Sequence, residues 1–131
     1  KLKNKDIIWF AGGYASYLMY WILRCEIDLY IQELLNDGAV YVGSSAGAMV
    51  ASKDIKLETW YPGETNRTGN YLPGMGLVDF NIYPHYEDDM LPEIEEKYTG
   101  SKMYLLKNGE AVTVDGDTVT VLGEERIVFG K

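Results

Sequence analysis

Two adjacent serines lie between glycines in the stretch from Gly43 to Gly47, which reads GSSAG and fits G-x-S-x-G with Ser45 at its centre. In this pattern the serine occupies a sharp turn between a strand and a helix, where larger neighbours would clash with the backbone. The turn exposes the hydroxyl and directs backbone N–H groups at the position where an oxyanion would form. The pattern therefore indicates nucleophilic attack by Ser45, and the alternative is an ordinary tight turn that requires small residues.

A serine nucleophile needs a base, and histidine is the side chain that exchanges a proton near neutral pH. The sequence contains a single histidine, His85, in IYPHYEDD, directly after a predicted strand. Loops at the carboxyl ends of parallel strands carry functional residues in α/β proteins. His85 is therefore the candidate base, and the alternative is a surface loop histidine beside solvated carboxylates.

Strands and helices alternate around these residues. Ile7 to Phe10 predicts a strand buried on both faces and followed by a glycine turn, and residues 16–36 predict helix with a break near 25–28. Residues 39–43 predict a second buried strand, after which SSAGAMVAS is typical of a turn and a helix. This order indicates an α/β arrangement with parallel strands.

The rest of the chain predicts a long loop and then mostly strands. Residues 53–78 are rich in Pro, Gly and Asn and predict the loop, 77–83 a strand and 90–98 a short acidic helix. Apolar and polar residues then alternate around tight-turn signals, which predicts a β-meander with strands near 103–106, 111–115, 118–122 and 126–129.

Composition narrows the class of protein. The 131 residues, 47% of them hydrophobic, predict a single domain over 1–131 with one core. The net charge of −8, with no basic stripe, argues against nucleic acid as a partner. One cysteine, Cys25, and the lack of a long apolar segment predict a cytoplasmic protein without a membrane partner. We expect no cofactor. We also expect no metal, because HYEDD has the spacing of neither a calcium loop nor a zinc helix.

The segments DIIWFAGGYASYLMYWIL, GAVYVGSSAGAMV and NIYPHY, in this order, resemble the dipeptidase E family of serine peptidases, which includes aspartyl dipeptidase. The resemblance runs over essentially the whole chain. It implies a class I glutamine-amidotransferase-like α/β fold, with a mainly parallel sheet and flanking helices, and hydrolysis of short peptides near their N-termini. It also implies that Ser45 is the nucleophile and His85 the general base, with Gly13 and Ala46 as oxyanion N–H donors.

The sequence departs from the family pattern at three places. Tyr14 follows the glycine turn where many members have Asn. The acid of the family aligns with Asn108, or with Glu110 after a two-residue slip, and both stay candidates. Family members also have strands and helices before the strand that corresponds to Asp6–Phe10, and the resemblance implies that these are missing here. One face or edge of the sheet would then be open, and a second copy, in a homo-oligomer, or a missing N-terminal segment would cover it.

Other functions stay open beside the peptidase. The departures also fit a catalytically impaired member or a fragment that acts as a binding or assembly module. An α/β-hydrolase shares G-x-S-x-G but usually has a longer chain, and a glutamine amidotransferase uses Cys as its nucleophile. For a peptidase, the loop 53–78 would contribute to the substrate pocket, with Arg67 as the candidate partner of an acidic substrate side chain.

Overall fold

The computed structural model describes residues 2–56 and 73–131, so Arg67 and most of the predicted loop lie outside the described residues. The chain divides into two compact units, Lys1–Asp79 and Phe80–Lys131, and each is described by itself. The prediction of one domain over 1–131 stays a prediction. In the part of the chain that the structure describes, no helix is long and apolar enough to cross a membrane.

The first unit contains the predicted succession of strand, helix, strand and helix, which is thereby confirmed. Its elements are β1 (Ile7–Phe10), α1 (Ala15–Arg24), α2 (Ile27–Asn36), β2 (Val40–Gly43) and α3 (Ala46–Ala51). β1 and β2 are parallel, with Phe10 opposite Gly43. The predicted break in the helical stretch is also present, because Glu26 adopts a left-handed conformation with φ of 56° between α1 and α2.

The burial of β1 and β2 corrects the prediction that both faces of these strands are covered. Ile8 is 4% exposed, whereas Ile7 and Trp9 are 61% and 67% exposed, and Val40 on β2 is 56% exposed. Neighbouring side chains of a strand point to opposite faces of the sheet. Because every residue from Ile7 to Phe10 is apolar, the alternation between the two faces is not visible in the sequence. The pattern therefore could not predict which face is packed. The core of this unit includes Met19, Ile22, Ile31 and Val50.

The second unit combines a three-stranded sheet, one helix and a separate hairpin. Its elements are β3 (Asn81–Tyr83), a 3-10 turn (Asp88–Met90), α4 (Leu91–Lys97), β4 (Met103–Leu105), β5 (Ala111–Asp115), β6 (Thr118–Leu122) and β7 (Ile127–Val128). β4 lies between β3, to which it is parallel, and β7, to which it is antiparallel. β5 and β6 pair only with each other in the described residues.

The prediction of a C-terminal β-meander is therefore wrong in its pairing, although all four strands exist. In a meander β4 would pair with β5, and β6 with β7, whereas β4 pairs with β7 and the β5–β6 hairpin is inserted between them. Alternating residues and turn signals predict that strands form, but the partner of each strand depends on long-range packing. The turn at 107–110, which leads from β4 to this hairpin, carries Asn108 and Glu110.

Candidate active site

Ser45 lies in the turn between β2 and α3, and its backbone conformation is unusual. Its φ is 54° and its ψ is −116°, outside the regions that non-glycine residues ordinarily occupy. Such a conformation costs on the order of 1–3 kcal/mol and persists only where the surrounding structure enforces it. Ser45 holds the N-cap position of α3, yet its side chain makes no capping hydrogen bond to that helix. The strain therefore lies at the strand-to-helix turn where the G-x-S-x-G pattern is expected to place its serine.

The glycines on either side of the serines are required by the closeness of the backbone. A Cβ atom at Gly47 would lie 2.0 Å from the carbonyl oxygen of Phe10, at the end of β1. A Cβ atom at Gly43 would lie 2.5 Å from the carbonyl oxygen of Gly47. Both distances are far below van der Waals contact, so the start of α3 packs against the ends of β1 and β2 only because these positions lack side chains.

The glycine turn after β1 lies beside the Ser45 side chain. Because β1 and β2 are parallel, the turns that follow them are at the same edge of the sheet. A Cβ atom at Gly12 would be 3.3 Å from the Cβ atom of Ser45, and Gly13 has a φ of 137° that favours glycine. Ala46, the first residue of α3, has a backbone N–H with no acceptor one turn earlier in its helix. Gly13, one of the two predicted oxyanion donors, therefore directly follows the glycine that lies beside Ser45. Ala46, the other predicted donor, directly follows Ser45 in the chain.

Two aromatic side chains that the sequence patterns did not single out contact this turn. The Tyr41 hydroxyl donates a hydrogen bond of 2.6 Å to the carbonyl oxygen of Gly47, and burial raises the pKa of Tyr41, so the hydroxyl stays protonated. The indole Nε1 of Trp9 donates to Oγ of Ser44 at 3.4 Å. The two serines therefore differ: Ser44 is exposed and contacts Trp9, whereas Ser45 is half-buried in the strained turn.

In the second unit His85 follows β3 and is also held in a left-handed conformation, with a φ of 57°. It is exposed between two buried residues, Pro84 and Tyr86. The Tyr86 N–H donates to the Leu106 carbonyl at 3.0 Å, and the Leu106 N–H donates to the Tyr83 carbonyl at 2.9 Å. These backbone bonds continue the pairing of β3 with β4 past the strand ends and leave the His85 side chain projecting from the loop.

The Asn108 side chain contacts His85. Its Oδ1 lies 2.7 Å from Nδ1 of the imidazole. Since an amide oxygen can only accept a hydrogen bond, the proton of a neutral imidazole is on Nδ1, which leaves Nε2 unprotonated. This is the tautomer that a general base requires when it acts through Nε2.

Glu110, the other candidate for the acid position, has different partners. Its carboxylate accepts hydrogen bonds from the backbone N–H of Lys107 at 2.9 Å and of Glu124 at 3.2 Å. It also forms an ion pair of 2.7 Å with the Arg126 guanidinium. The hydrogen bond from the Lys107 N–H, followed by those from Glu124 and Arg126, lowers the pKa of Glu110 despite its desolvation.

A second ion pair joins the His85 loop to the same turn. The Lys107 ammonium lies 2.7 Å from the Asp88 carboxylate, which is 74% exposed. The hydrogen bond from Lys107 lowers the pKa of Asp88. Sequence reasoning missed both this pair and Arg126, because neither has a motif or a local spacing that would reveal it. Within the two described ranges, no group of three or more His, Cys, Asp or Glu residues could hold a metal ion.

The chain is similar to proteins of one peptidase family. The model of Peptidase family S51 matches residues 1–122. An uncharacterized peptidase of Listeria monocytogenes is 32% identical over 91% of this chain and 61% of its own length. A probable alpha-aspartyl dipeptidase of Drosophila melanogaster is 31% identical over 94% of this chain and 55% of its own length. These matches confirm the resemblance inferred from the sequence.

The fold is shared with a solved structure. A crystal structure of a Listeria monocytogenes EGD-e protein, provisionally assigned as a peptidase E, matches with a TM-score of 0.79 at 28% identity. The match covers 92% of this chain and 61% of that chain. The α/β class of the fold is thereby supported. The chain spans about three fifths of the length of the relatives it matches.

The close approach at Gly47 predicts the effect of one added methyl group. Gly47→Ala should lower the free energy of unfolding by about 3 kcal/mol, the upper end of the usual cost of overpacking, because the methyl group cannot fit against the Phe10 carbonyl without moving α3. Urea denaturation measures this loss. The control, Ala48→Gly, removes a methyl group from the next residue of α3 and should cost only about 1 kcal/mol of helix propensity. A Gly47→Ala protein as stable as the wild type would contradict the packing described here.

Proposed function

Because the chain belongs to peptidase family S51, we propose that it carries the nucleophile and base of a serine-type peptidase that hydrolyses short peptides near their N-termini, with a dipeptidase E-like activity. The observation that carries the proposal is the backbone of Ser45, which is strained at the turn between β2 and α3. The two relatives named as peptidases support hydrolysis as the reaction class.

In the proposed reaction, Oγ of Ser45 attacks the carbonyl carbon of the scissile peptide bond while Nε2 of His85 takes the hydroxyl proton. The N–H groups of Gly13 and Ala46 stabilise the oxyanion, each donor typically contributing about 3–4 kcal/mol. The carbon–nitrogen bond then breaks as His85 returns the proton to the leaving amine. Water hydrolyses the acyl-enzyme with His85 again acting as base. The closeness of Gly12 to Ser45 supports the role of this glycine turn.

Asn108 is proposed to orient His85 in place of the family's carboxylate. The 2.7 Å contact with Nδ1 supports this role, and it favours Asn108 over Glu110 because the Glu110 carboxylate is engaged by Arg126 and two backbone N–H groups. An Asn fixes the tautomer of the imidazole, as in papain-like peptidases. A neutral amide stabilises the imidazolium less than a carboxylate would, so we expect a working but slow enzyme.

The substrate is proposed to carry an acidic N-terminal residue. The name of the Drosophila relative refers to alpha-aspartyl dipeptides, and this is the support for the proposal. Arg67 stays the predicted partner of the acidic side chain of this substrate. The cytoplasmic location of the protein also stays a prediction. Peptides that begin with Asp, compared with peptides that begin with Asn, are the substrates with which to test this preference.

Replacing each serine of the turn separately tests the nucleophile. Ser45→Ala should reduce the hydrolysis of Asp-initiated dipeptides by at least about 1,000-fold, because the nucleophile is lost. It should also abolish labelling by a serine-directed phosphonate, located by mass spectrometry of peptides. The matched control, Ser44→Ala, removes the same atom from the adjacent residue and should keep both properties. Labelling at a residue other than Ser45, in protein that includes the remainder of the family fold, would rule out this assignment.

Substitutions at Asn108 test the proposed orienter. Asn108→Ala should reduce kcat by about 100-fold or more, since the imidazole is no longer held in the required tautomer. Asn108→Asp should keep the contact and raise kcat above the wild-type value, because a carboxylate stabilises the imidazolium. Steady-state kinetics on the same dipeptides measure both changes. If Asn108→Ala left kcat unchanged, Asn108 would have no role in orienting His85.

A second candidate function is a binding or assembly module. The observation that favours it is the apolar face of the β1–β2 sheet, where Ile7, Trp9 and Val40 are exposed. We propose that either a second copy of the chain or a segment that precedes it covers this face, as predicted from the sequence. Equal dipeptidase rates for wild type and Ser45→Ala would favour the module over the peptidase.

A further inference from the structure

We propose that Glu110 and Arg126 form an ion pair that positions Asn108 against the His85 imidazole. The proposal rests on the proposed function, in which Asn108 orients the base. In this proposal Glu110 is not the acid that contacts the imidazole, which was one of the two roles predicted from the sequence. Glu110 instead stabilises the turn that carries Asn108, the residue that contacts the imidazole. Neither residue touches substrate in this scheme, so both are positioning residues.

The Glu110 carboxylate closes the turn around Asn108. The backbone N–H of Glu110 donates to the Lys107 carbonyl at 3.1 Å, and the Lys107 N–H donates back to Oε2 of Glu110 at 2.9 Å. The two residues between them are Asn108 and Gly109, and Gly109 has a φ of 89°. A four-residue turn with hydrogen bonds in both directions has little freedom to move, and Asn108 is thereby held at one position.

Arg126 contacts both this turn and Tyr86, the residue that follows His85. Its Nη1 lies 2.7 Å from Oε2 of Glu110, and the two side chains are only 14% and 15% exposed. Its guanidinium carbon lies 5.8 Å from the centre of the Tyr86 ring, within the range of a cation–π contact. Tyr86 directly follows His85 in the chain. The Arg126 guanidinium therefore contacts both the Glu110 carboxylate, which closes the turn around Asn108, and the ring of Tyr86.

The surroundings of Glu110 are built to accommodate its side chain. A Cβ atom at Gly123 would lie 2.6 Å from Cγ of Glu110, so a larger residue there would displace the carboxylate. The Glu124 N–H donates to Oε1 of Glu110 at 3.2 Å, and the Arg126 carbonyl accepts a hydrogen bond of 3.0 Å from the N–H of Leu105 on β4. The lowered pKa of Glu110 keeps the carboxylate ionised throughout the pH range in which a histidine acts as base.

The nearby Lys107–Asp88 pair provides a contrast. It also joins the His85 loop to the turn, but its side chains are 37% and 74% exposed. Exposed ion pairs contribute little, because water and salt screen the charges and both side chains lose freedom. The less exposed Glu110–Arg126 pair, with its two additional backbone donors, is therefore the one expected to set the position of Asn108.

The single histidine allows a direct test by NMR. In wild-type protein the long-range ¹⁵N–¹H correlations of the imidazole, recorded where His85 is neutral, should show the proton on Nδ1. Glu110→Gln and Arg126→Met should each shift the tautomer population towards Nε2–H, in the same direction as Asn108→Ala. Glu125→Gln, which removes an exposed carboxylate from the same loop, and Asp88→Asn should leave the population unchanged.

The outcomes distinguish a role of Glu110 and Arg126 in positioning Asn108 from a role in the stability of the fold alone. If Glu110→Gln and Arg126→Met lowered the urea midpoint but left the Nδ1–H tautomer intact, the pair would be structural only, and the proposal would be overturned. A wild-type imidazole protonated on Nε2 would overturn it as well. In the kinetic assay both variants should lower kcat by about tenfold or more with little change in KM. Because the tautomer is measured without substrate, its result stands even if the protein fails to hydrolyse any peptide.

Discussion

The close packing of the start of α3 against the end of β1 is the constraint on which the first unit depends. Backbone atoms of Gly47 and Phe10 approach so closely that no side chain fits between them. With the helix in this position, the chain must turn within Ser44 and Ser45, and Ser45 takes the strained φ of 54°. The Tyr41 hydroxyl then holds the Gly47 carbonyl in place. The packing energy of a short helix thus maintains a serine in a conformation that it would not adopt alone.

A similar arrangement supports His85 in the second unit. Among the residues that the structure describes, four non-glycine residues have positive φ, and Ser45 and His85 are two of them. Each lies two residues past the last paired residue of a parallel strand, where a rigid sheet can hold a strained neighbour. Strain of this kind is concentrated at functional sites in proteins, and it provides an argument for these residues that is independent of the family.

The sequence predicted features that depend on local patterns. GSSAG identified the turn and its central serine, the single histidine identified the candidate base, and the strand and helix order of the first unit was correct. It did not predict the exposed face of β1, because Ile7, Ile8 and Trp9 are all apolar and give no alternation. It also could not separate the roles of Asn108 and Glu110, two residues apart in one turn. That distinction depends on Arg126 and Glu124, which the fold brings to the turn from beyond the β5–β6 hairpin.

The most direct test of the central claim is a crystal structure of the protein, including the remainder of the family fold, after reaction with a serine-directed phosphonate. The account predicts phosphorus bonded to Oγ of Ser45, which retains a positive φ, and a phosphonyl oxygen that accepts hydrogen bonds from the N–H groups of Gly13 and Ala46. Nε2 of His85 should lie within hydrogen-bonding distance of the adduct while Nδ1 contacts Asn108. An unmodified Ser45 in an ordinary conformation with negative φ would contradict the account.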